Sequence, residues 1–263
     1  MPLEASEVSR PRRVLVLGGA AEGRKIAARI AGDARFEGIV SLAGRTAAPH
    51  GQALPTRVGG FGGAAGLARY LVEARIDAVV DATHPFAARI SENARRACAD
   101  MRVPLVRLAR APWRRRDGDR WTEVADNAAA AAALGAVPRR VFLTIGRQGV
   151  GDFRAAPQHD YLVRAIDAPD PGELPPCARL LLARGPFDLA GEMALMREAR
   201  VDVVVSKNSG GDATFAKIET ARRLGLEVVM IDRPPQSDAP QADDVEAAMA
   251  FLGAGFSPDR RAP

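Results

Sequence analysis

Short apolar runs alternate along this chain with stretches whose apolar residues recur every three or four positions. The first pattern is typical of buried strands and the second of helices that cover a sheet. The predicted strands are 13–17, 38–43, 76–81, 103–108, 140–145, 161–165, 180–183, 201–206 and 227–231. The predicted helices are 22–31, 66–74, 85–99, 127–134, 189–199, 213–224 and 243–252. This βαβ rhythm predicts an α/β fold with mainly parallel sheets between helices.

The rhythm stops between residues 109 and 120, where Pro112, Trp113, three successive arginines and Gly118 follow one another. We interpret this stretch as the crossing between two lobes. The predicted division is a loose tail at 1–12, an N-terminal lobe at 13–110, a C-terminal lobe at 111–253 and a tail at 254–263. The two lobes could be copies of one architecture, although no short repeat is visible.

A glycine-rich turn follows the first predicted strand and opens the first predicted helix. It consists of Gly18, Gly19, Ala20, Ala21, Glu22 and Gly23. Such a turn places free N–H groups of a helix start against a pyrophosphate, and its last glycine allows close helix–sheet packing. Ala20 stands where the dinucleotide fingerprint has its middle glycine, so an ordinary βα turn is the alternative. Glu22 is unexpected beside a phosphate; it could instead bind ribose hydroxyls or cap backbone N–H groups.

The end of the second predicted strand indicates which nicotinamide cofactor fits. Enzymes that use NAD place an acidic residue there to hold the ribose 2′-hydroxyl. This chain has no acid in the segment 41–46 and offers Arg45 and Thr46 instead. Because a guanidinium matches a phosphate, the pattern predicts NADPH, with a solvated surface arginine as the alternative.

Polar residues follow three further predicted strands, and ligands of α/β sheets bind beyond the carboxyl ends of strands. Asp81 and Thr83 end one strand and are followed by His84, a candidate proton donor whose alternative role is structural. Arg147 lies in a glycine turn after residue 145 and could hold a carboxylate.

The third polar strand end predicts an anion or substrate contact, formed by Ser206, Lys207, Asn208 and Ser209 before two glycines. Lysine is rare in this chain, occurring only at positions 25, 207 and 217, so Lys207 is hard to attribute to composition. Lys217 is expected to be an ordinary surface residue.

The composition of the chain limits the kinds of ligand and partner that we expect it to bind. The net charge of +5 favours anionic ligands, and the basic residues are spread out rather than gathered in a nucleic-acid module. No apolar run reaches the roughly 18 residues of a membrane span. The two cysteines and three histidines show no metal-site spacing. The expectation is a cytoplasmic protein that binds a phosphorylated cofactor and an acidic small molecule, with no metal, nucleic acid or membrane partner; a monomer is compatible with the sequence.

Several segments together resemble the precorrin-6A reductase family of cobalamin biosynthesis. The residues that carry the resemblance are 17–23, the Asp-Ala-Thr-His-Pro-Phe-Ala stretch at 81–87, the Arg-Gly-Pro-Phe stretch at 184–187, the Ser-Lys-Asn-Ser-Gly-Gly stretch at 206–211, 217–219 and 228–234. They span nearly the whole chain. The family often has Thr where Ala20 or Ala21 stands, so hydroxyl contacts to a phosphate are missing here.

The resemblance implies two Rossmann-like lobes with the active site in the cleft between them. It also implies that NADPH delivers hydride to a ring double bond of the precorrin-6A macrocycle, giving precorrin-6B. Lys207, Arg147 and Arg184 would then neutralise carboxylates of the tetrapyrrole, and water, a substrate group or His84 would supply the proton. The alternatives are another NADPH-dependent reductase or epimerase on this scaffold, a non-catalytic nucleotide-sensing domain and, with less support, a methyltransferase. No tyrosine is followed four positions later by lysine, which speaks against the reductases that use that pair.

Overall fold

The computed structural model describes residues 10–44, 51–235 and 238–254. It confirms the α/β class, with two parallel sheets flanked by helices. The strands are β1 (Arg12–Leu17), β2 (Phe36–Leu42), β3 (Thr56–Val58), β4 (Ala78–Asp81), β5 (Leu105–Leu108), β6 (Arg120–Val124), β7 (Arg140–Leu143), β8 (Asp160–Ala165), β9 (Ala178–Leu182), β10 (Val203–Lys207), β11 (Glu227–Ile231) and β12 (Gln241–Ala242). The helices are α1 (Ala21–Ala31), α2 (Gly63–Glu73), α3 (Ala88–Met101), α4 (Asn127–Ala133), α5 (Leu189–Glu198), α6 (Ala216–Leu224) and α7 (Val245–Gly253).

The chain forms two compact units, each built on one sheet. The first unit contains Met1–Arg110 and Pro235–Pro263, and the second contains Ala111–Pro234. The strand order is β3-β2-β1-β4-β5-β12 in the first sheet and β9-β8-β7-β10-β11-β6 in the second. In each sheet three successive strands build outward on one side, β1 to β3 in the first and β7 to β9 in the second, before the chain crosses to the other side. The crossing lies between β1 and β4 in the first unit and between β7 and β10 in the second, and this is where doubly wound sheets bind ligands.

The C-terminal segment corrects the predicted division into lobes. Residues up to 253 were assigned to the C-terminal lobe, but β12 pairs with β5 in the first sheet. The helix α7 packs there too, because Ala248, Met249 and Leu252 share a core with Val14 and Ile26. The prediction failed because the apolar pattern shows that α7 has a buried face but not which core receives it. The predicted tail at 1–12 is also shortened, since Arg12 begins β1.

Both faces of the first sheet are buried, which explains why β1 is a continuous apolar run. Val14 and Val16 belong to the core on one face, with Ile26 of α1. Leu15 and Leu17 belong to the core on the other face, with Leu67 of α2. Because successive strand residues point to opposite faces, a strand between two helical layers must be apolar at every position. The second unit has a comparable core around Phe142, Val204 and Ile218.

Three short strands were not predicted, namely β3, β6 and β12. Each is an outermost strand of its sheet and therefore pairs with only one neighbouring strand. In β6 only Trp121 is buried, so the apolar pattern there is too sparse to indicate a strand. Within the described residues, no helix has the length and apolar character needed to cross a membrane.

Candidate active site

The glycine turn, residues 18–23, joins β1 to α1 and leaves the start of α1 open. Gly19 has a φ of 126°, a conformation that favours glycine, and a side chain there would meet no atom within 4 Å. Ala20 is the N-cap and provides no side-chain hydrogen bond to the helix. The first N–H groups of α1 are therefore not capped by a side chain of the turn, which suits a phosphate ligand.

Two glycines of this turn hold the helix close to the sheet. A Cβ atom at Gly23 would lie 3.1 Å from Cα of Gly18 and 3.6 Å from the carbonyl oxygen of Ala82. A Cβ atom at Gly18 would lie 3.1 Å from a methyl group of Val40. The two 3.1 Å distances are shorter than ordinary van der Waals contacts, so a side chain at either position would force its neighbours to move. This agrees with the close helix–sheet packing predicted for the last glycine of the turn.

The structure brings the predicted Asp81 and Thr83 next to the glycine turn. The strands β1 and β4 are neighbours, with Leu17 opposite Asp81, and the N–H of Ala82 donates to the carbonyl of Leu17 at 2.9 Å. Asp81 is buried, and its Oδ1 accepts from the backbone N–H of Thr83 at 3.1 Å and from its hydroxyl at 2.7 Å. The Asp81 carboxylate thus orders the turn that follows β4.

Glu22 forms an ion pair that the sequence did not predict. Its Oε2 accepts from Nη1 of Arg110 at 2.9 Å, and the two side chains are 20% and 18% exposed. Arg110 is the last residue of the N-terminal part of the first unit and lies two positions after β5. The acid that seemed out of place beside a phosphate is therefore charge-compensated in this structure.

The predicted contacts to the 2′-phosphate, Arg45 and Thr46, lie outside the described residues. The end of β2 that precedes them carries Ser41, whose Oγ accepts from Nη1 of Arg57 at 2.8 Å. The guanidinium of Arg57 also stacks on Phe61, with 3.9 Å between its central carbon and the ring centre. A second arginine, on β3, is thus fixed at the strand end where the sequence predicted a phosphate.

In the second unit, two of the predicted polar strand ends meet. The Oγ1 of Thr144 donates to the carbonyl of Val205 at 2.8 Å, which joins the ends of β7 and β10. The ammonium group of Lys207 donates to the carbonyl of Ile145 at 3.0 Å. Lys207 is half-buried at the end of β10, so it bridges the two strand ends at the crossing point of the sheet.

The Lys207 loop, residues 206–211, is held by a segment from the start of this unit. Asn208 accepts from the backbone N–H of Trp113 at 2.8 Å and donates to its carbonyl at 3.1 Å. The indole N–H of Trp113 donates to the carbonyl of Gly211 at 2.9 Å. Arg233 donates to the carbonyls of Asn208 and Ser209 at 2.9 and 3.1 Å. The predicted substrate contact Asn208 therefore binds backbone within the protein, and Ser206 is fully buried.

Lys217 is not a surface residue, which corrects the prediction for it. It is buried, its ammonium group donates to the carbonyl of Thr214 at 3.1 Å, and it lies 5.0 Å from the ring centre of Trp113. The sequence placed it on α6 but could not show that Trp113, far away in the chain, covers it.

The other two predicted arginines lie in turns beside these strand ends. Arg147 is half-buried in the turn after β7, and Arg184 is half-buried after β9. The turn at 184–187 is joined to the loop before α6 because the N–H of Phe187 donates to the carbonyl of Ala213 at 3.3 Å. The ring of Phe187 in turn covers the guanidinium of Arg164, which forms a buried ion pair with Glu192.

His84 takes part in the turn before α3. Its Nδ1 accepts from the backbone N–H of Phe86 at 3.2 Å, so the neutral ring carries its proton on Nε2. Cys98, on α3, is poorly suited to act as a nucleophile, because burial and the nearby charge of Asp81 together raise the pKa of its thiol to about 12. Among the described residues, no three His, Cys, Asp or Glu side chains are grouped so as to hold a metal ion.

Residues 13–253 match the family model described as precorrin-6x reductase CbiJ/CobK. The chain belongs to this family. It is 51% identical to the precorrin-6A reductase of Rhodobacter capsulatus over 241 residues, covering 91% of this chain and 95% of the relative. A solved structure described as CobK precorrin-6A reductase matches with a TM-score of 0.88 at 50% identity, covering 92% of this chain and 96% of that one. A more distant relative, the cobalt-precorrin-6A reductase of Priestia megaterium, is 31% identical over 175 residues, which is 63% of this chain and 68% of that protein.

Sequence reasoning missed four residues: Arg57 and Arg110, which lie at the strand ends of the first unit, and Trp113 and Arg233, which hold the Lys207 loop of the second unit. Each acts through a partner that is distant in the sequence, as Trp113 does with Asn208. The only signal was compositional, since these residues are aromatic or basic. Arg110 and Trp113 lie in the crossing at 109–120 and Arg233 lies just after β11, whereas Arg57 lies on the unpredicted strand β3.

Proposed function

We propose that this protein reduces the precorrin-6A macrocycle to precorrin-6B in cobalamin biosynthesis, with NADPH as the hydride donor. The observation that carries the proposal is about 50% identity, over nearly the full length of both chains, to proteins named precorrin-6A reductase. Identity to the cobalt-precorrin-6A reductase of Priestia megaterium is only 31%, which favours the metal-free macrocycle as the substrate.

The first unit is proposed to bind NADPH at the glycine turn. The open helix start, the positive φ of Gly19 and the close packing at Gly18 and Gly23 suit a dinucleotide pyrophosphate. When bound, the cofactor supplies the hydride. The backbone N–H groups of the turn would hold the pyrophosphate, and Asp81 and Thr83 would lie beside it after β4. Arg45 and Thr46 are proposed to contact the 2′-phosphate.

The second unit is proposed to bind the macrocycle through its carboxylates. Lys207, at the meeting point of β7 and β10, would pair with one of them, and Arg147 and Arg184 with others. Ser206, Asn208 and Ser209 would contribute through the conformation of the Lys207 loop, because the side chain of Asn208 binds the backbone of Trp113. Fixing a charged substrate at several points holds it in one orientation for hydride transfer.

The proposed proton donor is His84, with water and a group of the substrate as alternatives. To give a proton the ring would have to be the imidazolium, with N–H groups at both nitrogens. Its Nδ1 would then give up the hydrogen bond that it accepts from Phe86, and Nε2 would pass the proton to the substrate. A His84→Gln variant should then keep NADPH affinity and lose turnover; unchanged turnover would transfer the step to water or to the substrate.

The central experiment is NADPH oxidation by the purified protein, followed through the loss of the ultraviolet absorbance of the reduced nicotinamide. We expect oxidation only when precorrin-6A is present, and slower turnover with cobalt-precorrin-6A. Oxidation without any tetrapyrrole would favour another reductase, and cofactor binding without turnover would favour a nucleotide-sensing domain.

Cofactor preference is tested by binding titrations of NADPH and NADH. Losing one charged contact to a phosphate costs about 1.5–3 kcal/mol, so Arg45→Ala should weaken NADPH binding by about ten- to a hundredfold and leave NADH binding unchanged. If the wild type binds NADPH and NADH with equal affinity, both the proposed preference for NADPH and the proposed contact of Arg45 to the 2′-phosphate are wrong.

A further inference from the structure

Glu22 poses an electrostatic problem for a site that binds phosphate. It is the second residue of α1, and side chains in a helix lean toward its N-terminus. A carboxylate in this position repels any anion held by the first N–H groups of α1. At the effective dielectric constant of a protein surface, two like charges about 6 Å apart would weaken binding by at least tenfold.

Arg110 lies where its positive charge neutralises the carboxylate of Glu22. Its Nη1 lies 2.9 Å from Oε2 of Glu22, and both side chains are about four-fifths buried. Ion pairs with little solvent exposure are weakly screened by salt, so the guanidinium cancels the charge of Glu22 locally. Arg110 also brings a planar group that can bridge two anions, because its five N–H donors point along several edges.

We propose that Arg110 is a further cofactor-binding residue: it neutralises Glu22 and contributes its positive charge to the pyrophosphate of the nicotinamide cofactor. This inference rests on the proposed function, since it requires a dinucleotide at the glycine turn. It places Arg110 at the pyrophosphate, a group that NADPH and NADH share. Loss of Arg110 should therefore weaken the binding of both cofactors equally, unlike the loss of a contact to the 2′-phosphate.

A second arginine–glutamate pair joins α1 to α7 and serves as a matched control. Arg29, in the last turn of α1, donates to Glu246 at 3.0 Å, but these side chains are 47% and 70% exposed. Each control substitution removes the same charge as its counterpart in the Glu22–Arg110 pair, but near the end of α1 that lies away from the glycine turn. Arg29→Gln and Glu246→Gln should leave the affinity for either cofactor within about twofold.

The experiment is a double-mutant cycle in the full-length protein, with dissociation constants for NADPH and NADH measured by calorimetry. Arg110→Gln should raise the dissociation constants of both cofactors by about ten- to thirtyfold and leave the ratio of the two constants unchanged. Glu22→Gln should bind both at least as tightly as the wild type. The double variant should recover part of this loss, because the unpaired carboxylate is gone, and should stay weaker than the wild type, because the charge of Arg110 at the pyrophosphate is gone too. Full recovery would mean that Arg110 only neutralises Glu22 and would overturn its role as a cofactor-binding residue.

Each outcome decides between the two proposals. If the wild type binds neither cofactor, the proposed function fails together with this inference. If the wild type binds both and Arg110→Gln stays within twofold, only the role of Arg110 is overturned. A change in the NADPH-to-NADH ratio would move Arg110 to the 2′-phosphate and overturn the assignment. Should Arg110→Gln not fold, Glu22→Gln decides, because weaker binding by that variant contradicts the proposal.

Discussion

Lys207 combines a structural contact with the position expected of a substrate ligand. Its ammonium group donates to the carbonyl of Ile145 and so joins the ends of β7 and β10. An ammonium group has three donors, so a contact to backbone does not exclude a substrate carboxylate as a second partner. The two roles predict different consequences when the side chain is removed.

For the proposed role, Lys207→Ala should lower kcat/KM by about thirty- to two-hundredfold and leave NADPH affinity nearly unchanged. Lys207→Arg should rescue part of the activity, because it keeps the charge in a different shape. Steady-state kinetics with precorrin-6A and a separate NADPH titration measure these effects, with Lys25→Ala on the exposed face of α1 as the control. If Lys207→Ala keeps the wild-type kcat/KM and only lowers Tm, Lys207 stabilises the fold through its contact to Ile145 and does not bind the substrate.

Sequence reasoning at the scale of residues worked where a side chain acts next to its own strand. Asp81 and Thr83 could be predicted because their hydrogen bonds stay within two positions of one strand end. It failed where the partner comes from elsewhere in the chain. Lys217 was expected on the surface because nothing near α6 indicates that Trp113 lies over it. Asn208 was expected to contact substrate for the same reason.

At the scale of elements, the Lys207 loop depends on a close backbone approach. Gly210 has a φ of 67°, and a Cβ atom there would lie 2.1 Å from the carbonyl oxygen of Ala111. Gly225, at the end of α6, has nearly the same φ of 65°, but a side chain there would meet nothing within 4 Å. Substitutions at these two glycines therefore separate the free-energy cost of a left-handed backbone, present at both positions, from that of a steric clash, present only at Gly210.

Gly225→Ala should therefore destabilise the second unit by about 1–2 kcal/mol, the cost of a left-handed backbone for alanine. Gly210→Ala should cost at least twice as much, because the segment at 111–113 must also move. Both tryptophans, Trp113 and Trp121, lie in the second unit, so denaturant unfolding followed by their fluorescence measures this difference. Equal destabilisation by the two variants would mean that Ala111 does not pack on the loop.

The elements that the sequence predicted well are those buried on both sides. The central strands β1, β7 and β10 are apolar runs because helices cover both faces of each sheet. The edge strand β3 has only three residues, none of them buried, and was missed for that reason. Likewise, β12 has two residues and is defined only by its pairing with β5.

At the scale of the whole molecule, each sheet takes one of its two outermost strands from the segment that directly follows a crossing of the chain between the units. After β5 the chain enters the second unit as β6, which pairs with β11. After β11 it returns to the first unit as β12, which pairs with β5. The two sheets thus have equivalent strand orders, and the stability of the first unit depends on residues at the far end of the chain.

This dependence predicts that Leu252→Ala destabilises the first unit and not the second. Leu252 is 1% exposed and shares a core with Val14, Val16 and Ile26. Replacing a buried leucine by alanine costs about 2–5 kcal/mol, because apolar contacts are lost and a cavity remains. Glu246→Ala, on the same helix but with a 70% exposed side chain, should have little effect.

Thiol labelling can report the stability of the first unit separately from that of the second. Cys98 lies in the first unit, buried to 3% exposure with its thiol pKa raised to about 12, whereas Cys177 is exposed in the second. In the wild type we expect Cys177 to react at once with a thiol reagent and Cys98 to react only when the first unit opens. If opening is global, Leu252→Ala should speed the labelling of Cys98 by about thirtyfold or more, since each 1.4 kcal/mol is a factor of ten. Tryptophan fluorescence should show an unchanged unfolding transition of the second unit. The opposite result, protected Cys98 with a weakened fluorescence transition, would assign α7 to the second unit and contradict the strand order described here.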